Sequence, residues 1–133
     1  MATPLNGRRA LLLALGSFCL STAVVGAFAA VDLLGELVEL PHLAVGLVAV
    51  AAILAARSGE LPCAWLVAFG LSAGFGVHLG GIGITGETPG IPFRLTWAVV
   101  VGIVGATALG LPGGAIGLGL RRAARRRTSG ASE

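Results

Sequence analysis

The sequence predicts an all-α integral membrane protein, a four-helix transmembrane bundle in sequential up-down order, and three observations carry that expectation. Four long apolar stretches, residues 10–31, 40–56, 62–84 and 93–120, hold almost none of the ionisable residues. Of the 133 residues, 56% are hydrophobic and only 11% charged, with a mean hydropathy of +0.95, which is far more apolar than a soluble domain. The charges between the stretches alternate in sign along the chain. A bilayer core of about 30 Å takes about 20 helical residues per crossing, so four spans and short turns use up nearly the whole length. Little is left for an extramembrane domain, and enzymes that depend on one are excluded.

Orientation follows from the arginines. Arg8 and Arg9 precede the first stretch, Arg57 follows the second, and Arg121, Arg122, Arg125, Arg126 and Arg127 follow the fourth, whereas Asp32, Glu36 and Glu39 follow the first and Glu87 the third. Basic residues are enriched in cytoplasmic loops, so residues 1–9 and the basic tail 121–133 are expected in the cytoplasm and the acidic connections outside, in a plasma membrane. The net charge of +3 would suggest nucleic acid for a soluble chain. Here the arginines crowd beside a span, where they act as an orientation signal and attract anionic headgroups. The expected partner is therefore the lipid bilayer, with no nucleic acid. All nine basic residues are arginine and tyrosine is absent, which with the Ala/Gly/Leu/Val richness points to a GC-rich prokaryotic genome.

The first stretch has the parts of a secretory signal, with Arg8-Arg9, an apolar run and Ala27-Phe28-Ala29 as a small-x-small site. A signal's apolar region runs about 7–15 residues, and the longer stretch here favours an uncleaved span. Ser17 and Ser21 lie one turn apart, where their hydroxyls are expected to bond back to the helix's own carbonyls. Asp32, Glu36 and Glu39 share one helical face beyond it, ahead of Pro41.

The second stretch, 40–56, is short and needs Arg57 to reach toward the headgroups. The turn Arg57-Ser58-Gly59-Glu60 is tight, with Pro62 suited to the first turn of the third span, so spans two and three are expected to be antiparallel neighbours. The third carries two G-x-x-x-G pairs, Gly70 with Gly74 and Gly76 with Gly80, which permit close helix packing in lipid. Residues 85–92, Thr-Gly-Glu-Thr-Pro-Gly-Ile-Pro, read as a loop. The fourth, 93–120, would be about 42 Å long as one helix, longer than the hydrocarbon core. A kink at Pro112-Gly113-Gly114 is expected, with residues 115–127 lying along the interface as a basic helix and 128–133 disordered. Arg94 and Trp97 read as outer-interface anchors.

Threaded this way, Asp32, Glu36, Glu39, His42, His78, Glu87 and Arg94 gather near the outer boundary, the only candidate site. His42 and His78 on neighbouring spans, with Glu39 three residues before His42, are candidate ligands for haem b or a divalent metal. The carboxylates of Asp32, Glu36, Glu39 and Glu87 form a candidate acidic cluster that would attract cations. The simplest reading is a hydrated rim, because helix ends are where charges go in a polytopic protein. Cys19 and Cys63 fall at different depths and are not expected to pair. No serine–histidine pair, phosphate loop or H-E-x-x-H motif can be drawn. The leading expectation is a non-enzymatic accessory or scaffold subunit without cofactor, associating with other membrane subunits or itself through its small-residue faces in the third and fourth spans. A haem- or metal-binding redox subunit and a small transporter or channel are the alternatives.

Overall fold

The computed structural model describes residues 6–30, 40–79 and 90–130. Their elements are α1 (Gly7–Ala30), α2 (Leu40–Ser58), α3 (Leu61–Leu79), α4 (Ile91–Gly105), a π-helical turn (Ala106–Gly110) and α5 (Leu111–Gly130). The last three run on as one helical rod, so four rods make an all-helical membrane bundle. Three of them, α1, α3 and the last rod, are long and apolar enough to cross a membrane.

Each rod begins and ends for local reasons. Asn6 caps α1, its Oδ1 accepting the Arg9 N–H at 3.0 Å, which satisfies one of the four amides a helix start leaves free. At the far end of α2, Gly59 takes φ 75° and donates its N–H to the Ala55 carbonyl at 2.8 Å, an αL cap. Ser58 Oγ donates to the Leu54 carbonyl at 2.8 Å and accepts the Glu60 N–H at 3.2 Å, so the turn into α3 is closed by its own side chain. The Arg121 guanidinium of α5 lies where a Cβ at Gly59 would stand. Gly59→Ala is therefore expected to cost about 1–2 kcal/mol for the left-handed backbone alone, read as a lower thermal midpoint in detergent; an unchanged midpoint would contradict the cap.

Interhelical register fixes the topology. Gly70 meets Ala14 and Ser17, Gly74 meets Ser21, and Gly26 meets His78, so α1 and α3 run parallel. Gly76 meets Val101, Gly102 meets Ala73 and Gly110 meets Ala68, so α3 and the last rod are antiparallel. Gly113 meets Val48 and Gly117 meets Ala52, so α2 and α5 run parallel. Alternating directions along the chain give the up-down order, and they bring Arg8, Arg9, Arg57 and Arg121 to one end of the bundle.

Helix α3 is the centre. It packs against every other rod, and 44% of its apolar window is buried, against 6% for that of α1. Without a hydrophobic drive between helices in lipid, close approach of small residues supplies the packing. Trp65 and Phe69 stack on α3 with centroids 5.6 Å apart, and the Phe69 ring lies over Gly102. At the arginine end Ala51, Ala55 and Ala64 are almost wholly buried under Leu118, and Gly113, Gly114 and Gly117 bring α5 against α2 and α3.

The end of the last rod needs one correction. Around Pro112 the last rod stays helical through a π-helical turn: the Leu111 N–H bonds to the Ala106 carbonyl, five residues back, a widened turn immediately ahead of the proline. Residues 115–127, expected as a basic helix, are helical and continuous with the rest of the rod, and α5 remains helical to Gly130 because Arg and Ala are strong helix formers. Thr128 and Ser129, read as disordered, are helical and donate their hydroxyls to the Arg125 carbonyl at 2.8 and 3.2 Å.

Ser21 also departs from its expected local bond. Ser17 Oγ donates to the Leu13 carbonyl of its own helix at 2.7 Å, but Ser21 Oγ crosses to the Leu71 carbonyl of α3 at 2.7 Å. Such bonds contribute about 0.6 kcal/mol on average and at most about 1.7 in a membrane bundle. Ser21→Ala is expected to lower stability by that amount in a reversible detergent unfolding titration, and Ser17→Ala by less; equal losses would contradict the difference.

Candidate functional site

Small residues zip the arginine end together, but the opposite half of the bundle carries bulkier side chains and opens. There Val24 and Val25 of α1, Leu47 and Val50 of α2, Phe75 of α3 and Val100, Val101 and Val104 of α4 line a cavity of about 730 Å³. The size falls within the range of small-molecule sites, roughly 300–1,000 Å³. Among the described residues helix α2 packs mainly on α5 and the start of α3, with no substantial contact with α1 or α4. The cavity therefore opens sideways between rods. Gly46 lies on its wall, and a Cβ there would meet nothing within 4 Å.

Its chemistry is almost all hydrocarbon. Heteroatoms come from Ser21, whose hydroxyl is committed to Leu71, from Ser72, and from His42 and Trp97 near the starts of α2 and α4. Ser72 is buried, with its hydroxyl where a Cβ at Gly105 would project.

The two histidines occupy different surroundings. His42 is exposed and lines the cavity; His78 does not line it. The half-buried His78 has its Nδ1 3.3 Å from the Gly74 carbonyl one turn back, and its Nε2 edge rests on α1, 3.3 Å from the Cβ position of Gly26. That edge, where an axial ligand would need open space, is occupied by helix α1. Glu39, with Asp32, Glu36 and Glu87, lies outside the described residues, as does Gly80. Among the described residues no three His, Cys, Asp or Glu side chains gather in metal-binding range. Arg94 is half-buried and its Nε is enclosed without a hydrogen-bond partner, so it is not simply a hydrated anchor. Cys19 is exposed on α1 and Cys63 buried on α3, both as free thiols.

The remaining sequence candidates are placed by packing. Gly70 and Gly74 are consumed by α1, and Gly76 by Ala98 and Val101 of α4. Arg57, Arg122, Arg125, Arg126 and Arg127 are exposed, and Arg121 is half-buried over the α2–α3 turn. The cavity itself was not foreseen. Its only sequence signal is the change in side-chain size along α2 and the last rod, from Val45, Leu47, Val50 and Trp97, Val100, Val104 to Ala51, Ala55 and Gly113, Gly117. A scan against protein-family models, a search of curated proteins and a search of solved structures each return no match.

Proposed function

We propose that the chain is a non-enzymatic, multi-pass protein of a prokaryotic plasma membrane, an accessory or scaffold subunit with both termini in the cytoplasm. The observation that carries this reading is the flank of α1. Its inward stripe, Ala14, Ser17, Phe18, Ser21 and Val25, meets α3, and α3 is its one substantial packing partner among the described residues. The opposite stripe, Leu12, Leu15, Gly16 and Cys19, is bare, and a Cβ at Gly16 would meet nothing within 4 Å. A helix held on one side only leaves a full apolar face for lipid or for another subunit. Gly70, Gly74 and Gly76 of α3 are spent within the chain, so association runs through α1 instead. The cavity's hydrocarbon lining supports a role without bond chemistry. The arginine-rich end supports the inward orientation of the termini.

The native Cys19 tests association directly. Mild oxidation of membranes is expected to give a disulfide-linked species that Cys19→Ala abolishes, with Leu12→Cys and Leu15→Cys restoring it. A chain that stays monomeric with cysteine at all three positions would overturn the scaffold reading. Epitope tags on either terminus are expected to be reached only after permeabilisation. Labelling in intact cells would overturn the orientation.

A further inference from the structure

The lateral cavity has the dimensions of one leaflet. Its wall on the last rod runs from Trp97 to Leu109, which at 1.5 Å per residue is about 18 Å. Half of a hydrocarbon core is about 15 Å. The slot thus reaches from the loop end of the bundle to near its middle, where the π-helical turn forms the floor with Gly105 and Leu109. Such turns recur at functional sites because the extra residue reshapes one helix face. An apolar cavity of this kind stays dry, and in a membrane its open side faces hydrocarbon rather than water.

We propose that the slot is a binding site for a glycerophospholipid of that leaflet, which inserts one acyl chain between α1, α2 and α4 and leaves its second chain in the bilayer. The lining matches an amphiphile with a single polar end. Val50, Leu71, Val104 and Leu109 line the depth, while His42 and Trp97 stand at the end where ester and phosphate groups reside. Trp97 places an amphipathic ring with an N–H donor at headgroup level. The gaps on both sides of α2 admit a chain sideways, which a closed pocket would not. A flat ring such as a quinone would favour a pair of facing aromatic surfaces, and the only stacked pair among the described residues, Trp65 with Phe69, is not on the slot.

Gly46 makes the test specific. A Cβ there meets nothing within 4 Å, so Gly46→Phe is expected to place its ring on the slot wall and obstruct an acyl chain without forcing the neighbouring rods apart. Gly119→Phe on α5 is its control, equally open but away from the slot and from the bare face of α1. The full chain is reconstituted in phosphatidylcholine vesicles containing a phosphatidylcholine with a diazirine near the end of one acyl chain, irradiated and mapped by peptide mass spectrometry. Label is expected to concentrate on Val50, Val104 and Leu109 above the level on outward-facing Val99 and Ile103. Gly46→Phe should remove that excess and Gly119→Phe retain it, with both variants monodisperse and helical by circular dichroism. Uniform labelling along α4, or an excess that survives Gly46→Phe, would overturn the proposal. So would displacement of the label by an isoprenoid quinone at low mole fraction, which assigns the slot to a different ligand. Ready disulfide formation between two Gly46→Cys chains with loss of label would assign it to a second copy and likewise overturn the lipid site.

Discussion

Gly70→Leu is expected to dislodge α1 from the bundle and to lower stability by about 3 kcal/mol, the upper part of the usual range for overpacking. The reason is what a side chain would strike. A Cβ at Gly70 would stand 2.5 Å from the Ala14 carbonyl oxygen and 3.0 Å from the Phe18 amide nitrogen, and these are backbone atoms that no rotamer change removes. Relief requires the two helices to separate. Separation would also break the Ser21 to Leu71 hydrogen bond and open the contact at Gly74, because all three lie on one seam. Gly16→Leu on α1 supplies the contrast, since its Cβ meets nothing within 4 Å and leucine is the better helix former. Thermal denaturation followed by size-exclusion fluorescence should show a large fall for Gly70→Leu and none for Gly16→Leu. Equal midpoints would mean that α1 does not pack on α3 through this seam.

The second large effect is expected at Gly117→Leu. Its Cβ would press on the Ala52 backbone, with the carbonyl carbon at 2.8 Å and Cα at 2.9 Å. The neighbouring Gly113 is equally constrained, 2.5 Å from the Val48 carbonyl oxygen, so the α2–α5 seam cannot absorb the change by sliding one turn. Helix α2 has its main contacts on α5, and pushing the two apart removes most of what holds it. Overpacking of this kind costs about 1–3 kcal/mol. Spin labels at the exposed residues Ile53 and Ile116 report the seam without entering it. The distance between them is expected to lengthen and broaden in Gly117→Leu; an unchanged distribution would show that the contact is not needed.

Much of the architecture was legible in the residues because lipid imposes a single strong rule, that a crossing must be apolar and helical. That rule located α1, α2 and α3 to within a few residues of the start of each. The last rod shows where local rules fail. Proline followed by two glycines normally stops a helix, but the rod runs on through a π-helical turn just ahead of Pro112, and Gly113 meets α2 while Gly114 meets α3. The run Arg121 to Arg127, expected as a basic helix, is helical, and the helix runs three residues further, to Gly130.

The candidate site was less legible, for a physical reason. Two G-x-x-x-G pairs announce close packing but not with whom, and α3 uses Gly70 and Gly74 for α1 while turning Gly76 to α4. His42 and His78 were brought together by depth alone, yet the direction each ring takes depends on the helix rotation, which neighbouring contacts set. The Nε2 edge of His78 ended on α1 because Gly26 leaves a space its size. The cavity arises from side chains on rods far apart in sequence, and only the pairing of α2 with α5 creates it.

The single-sided attachment of α1 also bears on how the chain is made. Its docking surface is on α3, and the stretch from Ser17 to Gly70 takes roughly 3–10 s to synthesise at 5–20 residues per second. Throughout that interval the first helix has no docking surface, and Ser21 has no interhelical acceptor until the third arrives. Assembly of this protein is thus ordered by translation, with the earliest segment inserted first and seated late.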